Sequence, residues 1–162
     1  MTIQEAFTRT IALEGGNTFT DIKNDAGGAT RYGISKNANP DIDVLNLTED
    51  KARDIYYERY WKPAFCDILP NQLQFVVFDA AINNGVKEAI ELIQHASGCV
   101  VDGIYGAETA QACKNVSAFS YLTWRDWFYD KCVENNPKDA EFIDGWKART
   151  QKIRVMIQNN QI

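Results

Sequence analysis

The chain has 162 residues, of which 45% are hydrophobic and 24% charged, and a net charge of −5. That is enough for one domain with a real core, or for two closely fused lobes. The acidic balance argues against nucleic acid as the main partner and against electrostatic capture on an anionic membrane. No apolar run reaches membrane-spanning length, and the first ten residues lack the basic and apolar stretches of a signal peptide. Synthesis in the cytoplasm without a signal peptide is the expectation, and action outside the cell would need another route of release.

The first predicted element runs over residues 2–14. Ile3, Phe7 and Ile11 recur at four-residue spacing, and Thr2 followed by Glu5 forms a capping box. Gly15 or Gly16 is the expected left-handed residue that closes this helix. Glu14 therefore falls at a helix C-terminus, where the peptide dipoles disfavour an anion. A carboxyl group in that field is expected to hold its proton more tightly and to suit a general acid.

Residues 17–35 are rich in Gly, Asn, Asp and Thr, which predicts loops and a short, irregular β-hairpin. Gly27-Gly28 lets the backbone turn or approach a ligand closely. Thr48 caps a helix running to about Trp61 and stopped by Pro63. Its aromatic flank of Ile55, Tyr56, Tyr60 and Trp61 reads as core or as sugar-stacking surface. Further helices are expected over 71–83, 86–97, 107–114, 117–134 and 138–159, with breaks at Asn84-Gly85, Gly98 and Asn136-Pro137. Phe142, Trp146, Arg149, Ile153 and Met156 form one packing stripe on the last. The chain is thus mainly α with one irregular polar segment.

The four cysteines are scattered and flanked by apolar residues, which predicts free buried thiols and no disulfide scaffold. One histidine, His95, rules out an all-histidine zinc site, and no CxxC spacing occurs. No metal or cofactor is expected, and an amidase or endopeptidase is disfavoured.

Glu14, Asp25 and Thr30 share one glycine-rich stretch. Cleaving a glycosidic bond needs an acid for the leaving oxygen and usually a second carboxylate. Glu14 suits the acid role. Asp25, in a polar loop, suits the ionised partner, and the Thr30 hydroxyl suits holding a water. Asn24-Asp25-Ala26-Gly27 is also good turn chemistry, and Thr30 also suits a plain strand. Inversion through a water is favoured; a carboxylate separation of about 6.5–9.5 Å would fit it, and about 5–5.5 Å would fit retention. Tyr32 offers a flat ring for a sugar.

Glu14-Gly15-Gly16, followed by Asp25-x-Gly27-Gly28-x-Thr30-x-x-Gly33-Ile34, resembles the signature of glycoside hydrolase family 108, phage and prophage endolysins with N-acetylmuramidase activity. The resemblance implies that Glu14 is catalytic. It further implies a lysozyme-like, two-lobed helical fold, with a catalytic lobe over 1–70 and a helical lobe over 71–162. Downstream, Phe78-Asp79-x-Ala81-x-Asn83-x-Gly85, Ile93-Gln94 and Val101-Asp102-Gly103-x-x-Gly106-x-x-Thr109 resemble the accompanying peptidoglycan-binding segment. Asp79 and Asn83 share a helix face, from which they would border a cleft and bond a sugar amide, or else form an internal polar bridge or a solvated face. The implied partner is bacterial peptidoglycan, met by a monomer after a holin-like partner has permeabilised the membrane. A lytic transglycosylase on the same bond and a non-catalytic wall-binding or secretion-assisting protein are the alternatives.

Overall fold

The computed structural model describes residues 1–14, 29–37 and 39–162. Seven α-helices and one two-stranded antiparallel sheet occur among them, so the chain is mainly α with a small hairpin, as expected. The described chain falls into two compact units, Thr2–Arg59 and Tyr60–Ile162, the second also taking in Met1.

In the first unit, helix α1 spans Ile3–Leu13. Its start is the predicted capping box: the Glu5 amide donates to the Thr2 hydroxyl at 3.2 Å, and the Thr2 amide donates to the Glu5 carboxylate at 2.7 Å. That amide contact holds the Glu5 carboxyl below its ordinary range. Phe7 and Ile11 of the predicted stripe are buried, with Ala6 and Thr10 beside them. Gly15 and Gly16, expected to close the helix, lie outside the described residues.

The hairpin pairs β1, Thr30–Arg31, with β2, Ile34–Ser35, in the register Thr30 to Ser35 and Arg31 to Ile34. The two loop residues, Tyr32 and Gly33, have φ of 52° and 72°. Positive φ at both positions is the type I′ pattern, whose twist matches that of paired strands. Helix α2, Glu49–Tyr56, starts at Thr48, whose hydroxyl accepts from the Lys51 amide at 3.4 Å, with Glu49 and Asp50 in the first turn. Beyond Tyr56 the helix widens into a π-turn over Tyr57–Trp61 and does not run on as a regular α-helix.

The second unit is built around α3, Asn71–Asn84, in which every residue from Leu73 to Ala81 is buried. A helix apolar on all sides belongs in the middle of a bundle, and α3 packs against α4, Val86–Ser97, and α6, Ala118–Asn135. Gly85, at φ 94°, breaks α3 from α4, and Gly98 closes α4 in the left-handed region. Helix α5 covers Ala107–Ala112 and tightens into a 3-10 turn at Cys113–Asn115. The expected helix at 138–159 divides: Pro137–Glu141 is a 3-10 turn, and α7 proper is Ile143–Gln158.

All four cysteines are free; Cys66 and Cys113 are buried, and Cys99 and Cys132 half-buried. Burial pushes the Cys66 thiol up, which makes it an inert packing group. Among the described residues, no helix is long and apolar enough to cross a membrane.

Candidate active site

Glu14 is the C-cap of α1. Its amide donates to the carbonyls of Thr10 and Ala12, with backbone angles φ −83° and ψ 4°. The last turn of α1 itself supplies no basic residue of the kind that usually complements the dipole of a helix end. The Glu14 side chain is exposed. It stands beside the hairpin turn: a Cβ built on Gly33 would lie 3.9 Å from the Glu14 Cγ. The Glu14 side chain therefore passes close to the bare backbone of the turn.

The turn is anchored from below. The Tyr56 hydroxyl, on α2, donates to the Tyr32 carbonyl at 3.0 Å. The same hydroxyl would be 2.7 Å from a Cβ on Gly33, so no other residue fits there without displacement. Phe7 of α1 meets the Tyr56 ring edge-on at 5.4 Å and the Tyr32 ring at 6.3 Å. One aromatic cluster thus ties α1, the hairpin and α2 together, and the two ends of that frame carry Glu14 and Thr30. Thr30 is half-buried, opposite Ser35 in the sheet.

Tyr32, the expected sugar-stacking ring, is 7% exposed. Its ring is taken up by Phe7 and by the Arg31 guanidinium, 5.4 Å from the centroid. A sugar would meet it only after that packing had opened. Asp25 and the pair Gly27-Gly28 lie outside the described residues.

Asp79 corrects the expectation of a sugar contact in favour of the internal bridge. Its side chain is fully buried and bridges Arg125, itself fully buried, at 2.6 Å. Arg149 adds Nη2 to Oδ1 at 2.7 Å and Nε to the two carboxylate oxygens at 3.0 and 3.1 Å. Burial alone would raise this carboxyl; the two guanidiniums outweigh it and hold it below the ordinary range. Four accepted hydrogen bonds leave no lone pair for a glycan. The exposed Asn83 turns its amide back onto the Asp79 carbonyl at 2.8 Å, an i to i−4 bond within α3. Arg149, one member of the packing stripe expected from the sequence, is thus one of the two guanidiniums of a core ion cluster.

The Asp102-Gly103 segment is held by a residue of α4. The Gln94 amide nitrogen donates to Asp102 Oδ1 at 2.7 Å, the Ile104 carbonyl at 3.1 Å and the Thr109 hydroxyl at 3.2 Å. Its oxygen accepts from the amides of Asp102 and Gly103 at 3.0 and 2.9 Å. Gln94 thereby satisfies a whole loop from one buried side chain, which explains Gln94, Asp102, Gly103 and Thr109 without a ligand. His95, next to it, stacks on Trp124 at 4.9 Å and has no cysteine partner in this arrangement.

None of the curated proteins matches the chain. Among solved structures, it is similar to Brucella abortus SagA, at 28% identity and a TM-score of 0.72 over 94% of this chain and 91% of that one. Residues 7–85 match the glycosyl hydrolase 108 family. That stretch contains Glu14, the hairpin and its aromatic anchor. Through that stretch the chain is similar to the glycosyl hydrolase 108 family, and the match supports a glycoside hydrolase that acts on peptidoglycan.

Proposed function

We propose that the chain is an N-acetylmuramidase that hydrolyses the β-1,4 bond between N-acetylmuramic acid and N-acetylglucosamine, with Glu14 as general acid. The observation that carries this reading is the placement of Glu14: an exposed carboxyl on a fixed helix end, beside a hairpin whose turn keeps a glycine next to it. Protonation of the leaving oxygen requires an acid held in that way, at the edge of a surface a polymer can approach. Asp25 is the proposed second carboxylate and Thr30 the group that holds the water. Tyr32 serves as part of the aromatic frame under the turn.

Digestion of purified, outer-membrane-stripped cell walls tests the reading. Glu14→Gln should fold normally and release no muropeptides. Reducing muramic ends in the wild-type digest indicate hydrolysis, whereas anhydromuramic ends would make the enzyme a lytic transglycosylase. Wall pull-down without any released fragment would make it a binding protein. Asp25→Asn should depress turnover more than affinity, and near-normal turnover in that variant would remove Asp25 from the mechanism.

In its biological setting, we propose an endolysin role: a monomer made in the cytoplasm and released to the wall by a membrane-permeabilising, holin-like partner. Expression in a bacterial cytoplasm should cause lysis only when the membrane is permeabilised separately. With a net charge of −5, the protein has no overall attraction for an anionic wall, so binding should depend weakly on salt.

A further inference from the structure

The hairpin turn beside Glu14 is built from two residues at positive φ, and only one is a glycine. Tyr32 sits at φ 52°. A non-glycine residue stays in that region when its surroundings over-determine it. Here the surroundings are visible. The Tyr32 ring is pressed on Phe7, and its carbonyl accepts the Tyr56 hydroxyl at 3.0 Å. Tyr56 is 3% exposed and is itself fixed edge-on by Phe7. Gly33 follows at φ 72°, and the space above its Cα is shared by the Tyr56 hydroxyl and the Glu14 Cγ.

We propose that Tyr56 is a positioning residue for Glu14, acting through the Tyr32-Gly33 turn. The proposal rests on the reading of Glu14 as the acid. The Glu14 side chain is exposed and has several rotatable bonds, so its aim depends on the groups that border it. The bare backbone of Gly33 gives it a surface to lie along. That surface is held in place by a hydrogen bond from a buried hydroxyl to the preceding carbonyl. Gly33 is required twice over, by its φ and by the Tyr56 oxygen that a Cβ would strike. Tyr56 touches no substrate in this scheme; it determines where the turn sits and so where the acid points.

Tyr56→Phe keeps the ring against Phe7 and deletes only the hydroxyl. Misplacing a reacting group by about 1 Å can cost on the order of 100-fold in rate, so a loosened turn should lower kcat by roughly 10–50-fold while KM stays within about twofold. Tyr121→Phe is the matched control. Its hydroxyl donates to the Ala89 carbonyl at 3.1 Å, in the other unit, and is equally buried. That variant should lose similar thermal stability and keep its kcat within about twofold. Gly33→Ala keeps the Tyr56 hydroxyl in the chain but drives a Cβ against it and so displaces the turn; it should lose at least as much kcat as Tyr56→Phe, and it carries the test if Tyr56→Phe folds poorly.

Wild-type kcat in Tyr56→Phe or in Gly33→Ala would overturn the proposal. So would a raised KM at unchanged kcat, which would make Tyr56 a binding-surface residue. An equal loss in Tyr121→Phe would reduce the effect to general stability. Glu14→Gln assayed alongside separates the two levels. If Glu14→Gln is active, the reading of Glu14 as the acid fails and the proposal falls with it. If Glu14→Gln is inactive while Tyr56→Phe is normal, only the positioning role fails.

Discussion

Replacing Asp79 with asparagine keeps the shape of the side chain and removes its charge from the middle of the helical unit. Arg125 would then remain fully buried, and Arg149 is only 16% exposed. The amide offers one acceptor oxygen where the carboxylate now accepts four bonds from two guanidiniums. Breaking a buried ion pair by removing one partner costs about 3–5 kcal/mol. Two features set the value within that range. Arg125 Nη2 is already a buried donor without a partner among the described residues, which pushes the cost up. The Arg125 Nε bonds to Asn84 Oδ1 at 3.0 Å and to the Tyr129 hydroxyl at 2.8 Å survive the change, which limits it. About 4 kcal/mol is the expected loss, a large share of the roughly 5–15 kcal/mol that stabilises a domain.

Urea unfolding at pH 7, followed by circular dichroism, measures it. At about 2 kcal/mol per molar urea, the midpoint should fall by roughly 2 M. The acid side gives an independent check. The Asp79 carboxyl titrates below its ordinary value in the fold, so its stabilisation is complete above the unfolded pKa of 3.8 and is lost as pH falls through the lower folded value. Wild type should therefore lose stability below about pH 4 more steeply than Asp79→Asn, and the two should converge in acid. A variant within about 1 kcal/mol of wild type, with a parallel acid limb and weakened glycan binding, would refute the buried-counter-ion account. It would restore Asp79 as a sugar contact.

Two other substitutions have outcomes set by burial and by hydrogen bonding. Burial, and then the neighbouring Glu91, raise the half-buried Glu88 carboxyl from 4.5 to about 7. The folded state thus keeps a proton that the unfolded chain loses, and stability falls as pH rises between those values. Glu88→Gln should be about 1–2 kcal/mol more stable than wild type at pH 8, after allowance for solvent screening, and equal to it near pH 4; equal melting at both would contradict the shift. Gln94→Ala removes four hydrogen bonds to the loop around Asp102 and one to Thr109 of α5, and should cost about 2–3 kcal/mol. Amide exchange over residues 101–106 should rise sharply in that variant, and unchanged protection would show that the loop is held by something else.

The parts of this fold that were legible in the sequence are those decided within one turn of chain. The capping box of Thr2 and Glu5, the Thr48 cap and the Gly98 stop each join residues three or four apart, and each stands where it was expected. Glu14 at a helix end is the same kind of inference. The composition of residues 17–35 predicts an irregular hairpin, yet a tyrosine at the first position of a type I′ turn has no local signal. It depends on Tyr56, which lies 24 residues on. Asp79 shows the limit more sharply. Its spacing to Asn83 was read correctly as one helix face, but what decides its role is Arg125 and Arg149, 46 and 70 residues away. No periodicity encodes such a partner, and an aspartate on an apolar helix looks the same whether it faces a sugar or a guanidinium.

The family match runs from residue 7 to residue 85 and so includes both Glu14 and Asp79. The two carboxylates stand in opposite physical situations. Glu14 is exposed, at the end of a helix that offers no cation in its last turn. Asp79 is wholly buried and doubly compensated. An acid that must hand a proton to a substrate has to be reachable. A carboxylate that joins three helices has to be the reverse. Membership of one motif therefore does not assign one role. Within this stretch, access to solvent separates the residue proposed to do chemistry from the residue that holds the bundle together.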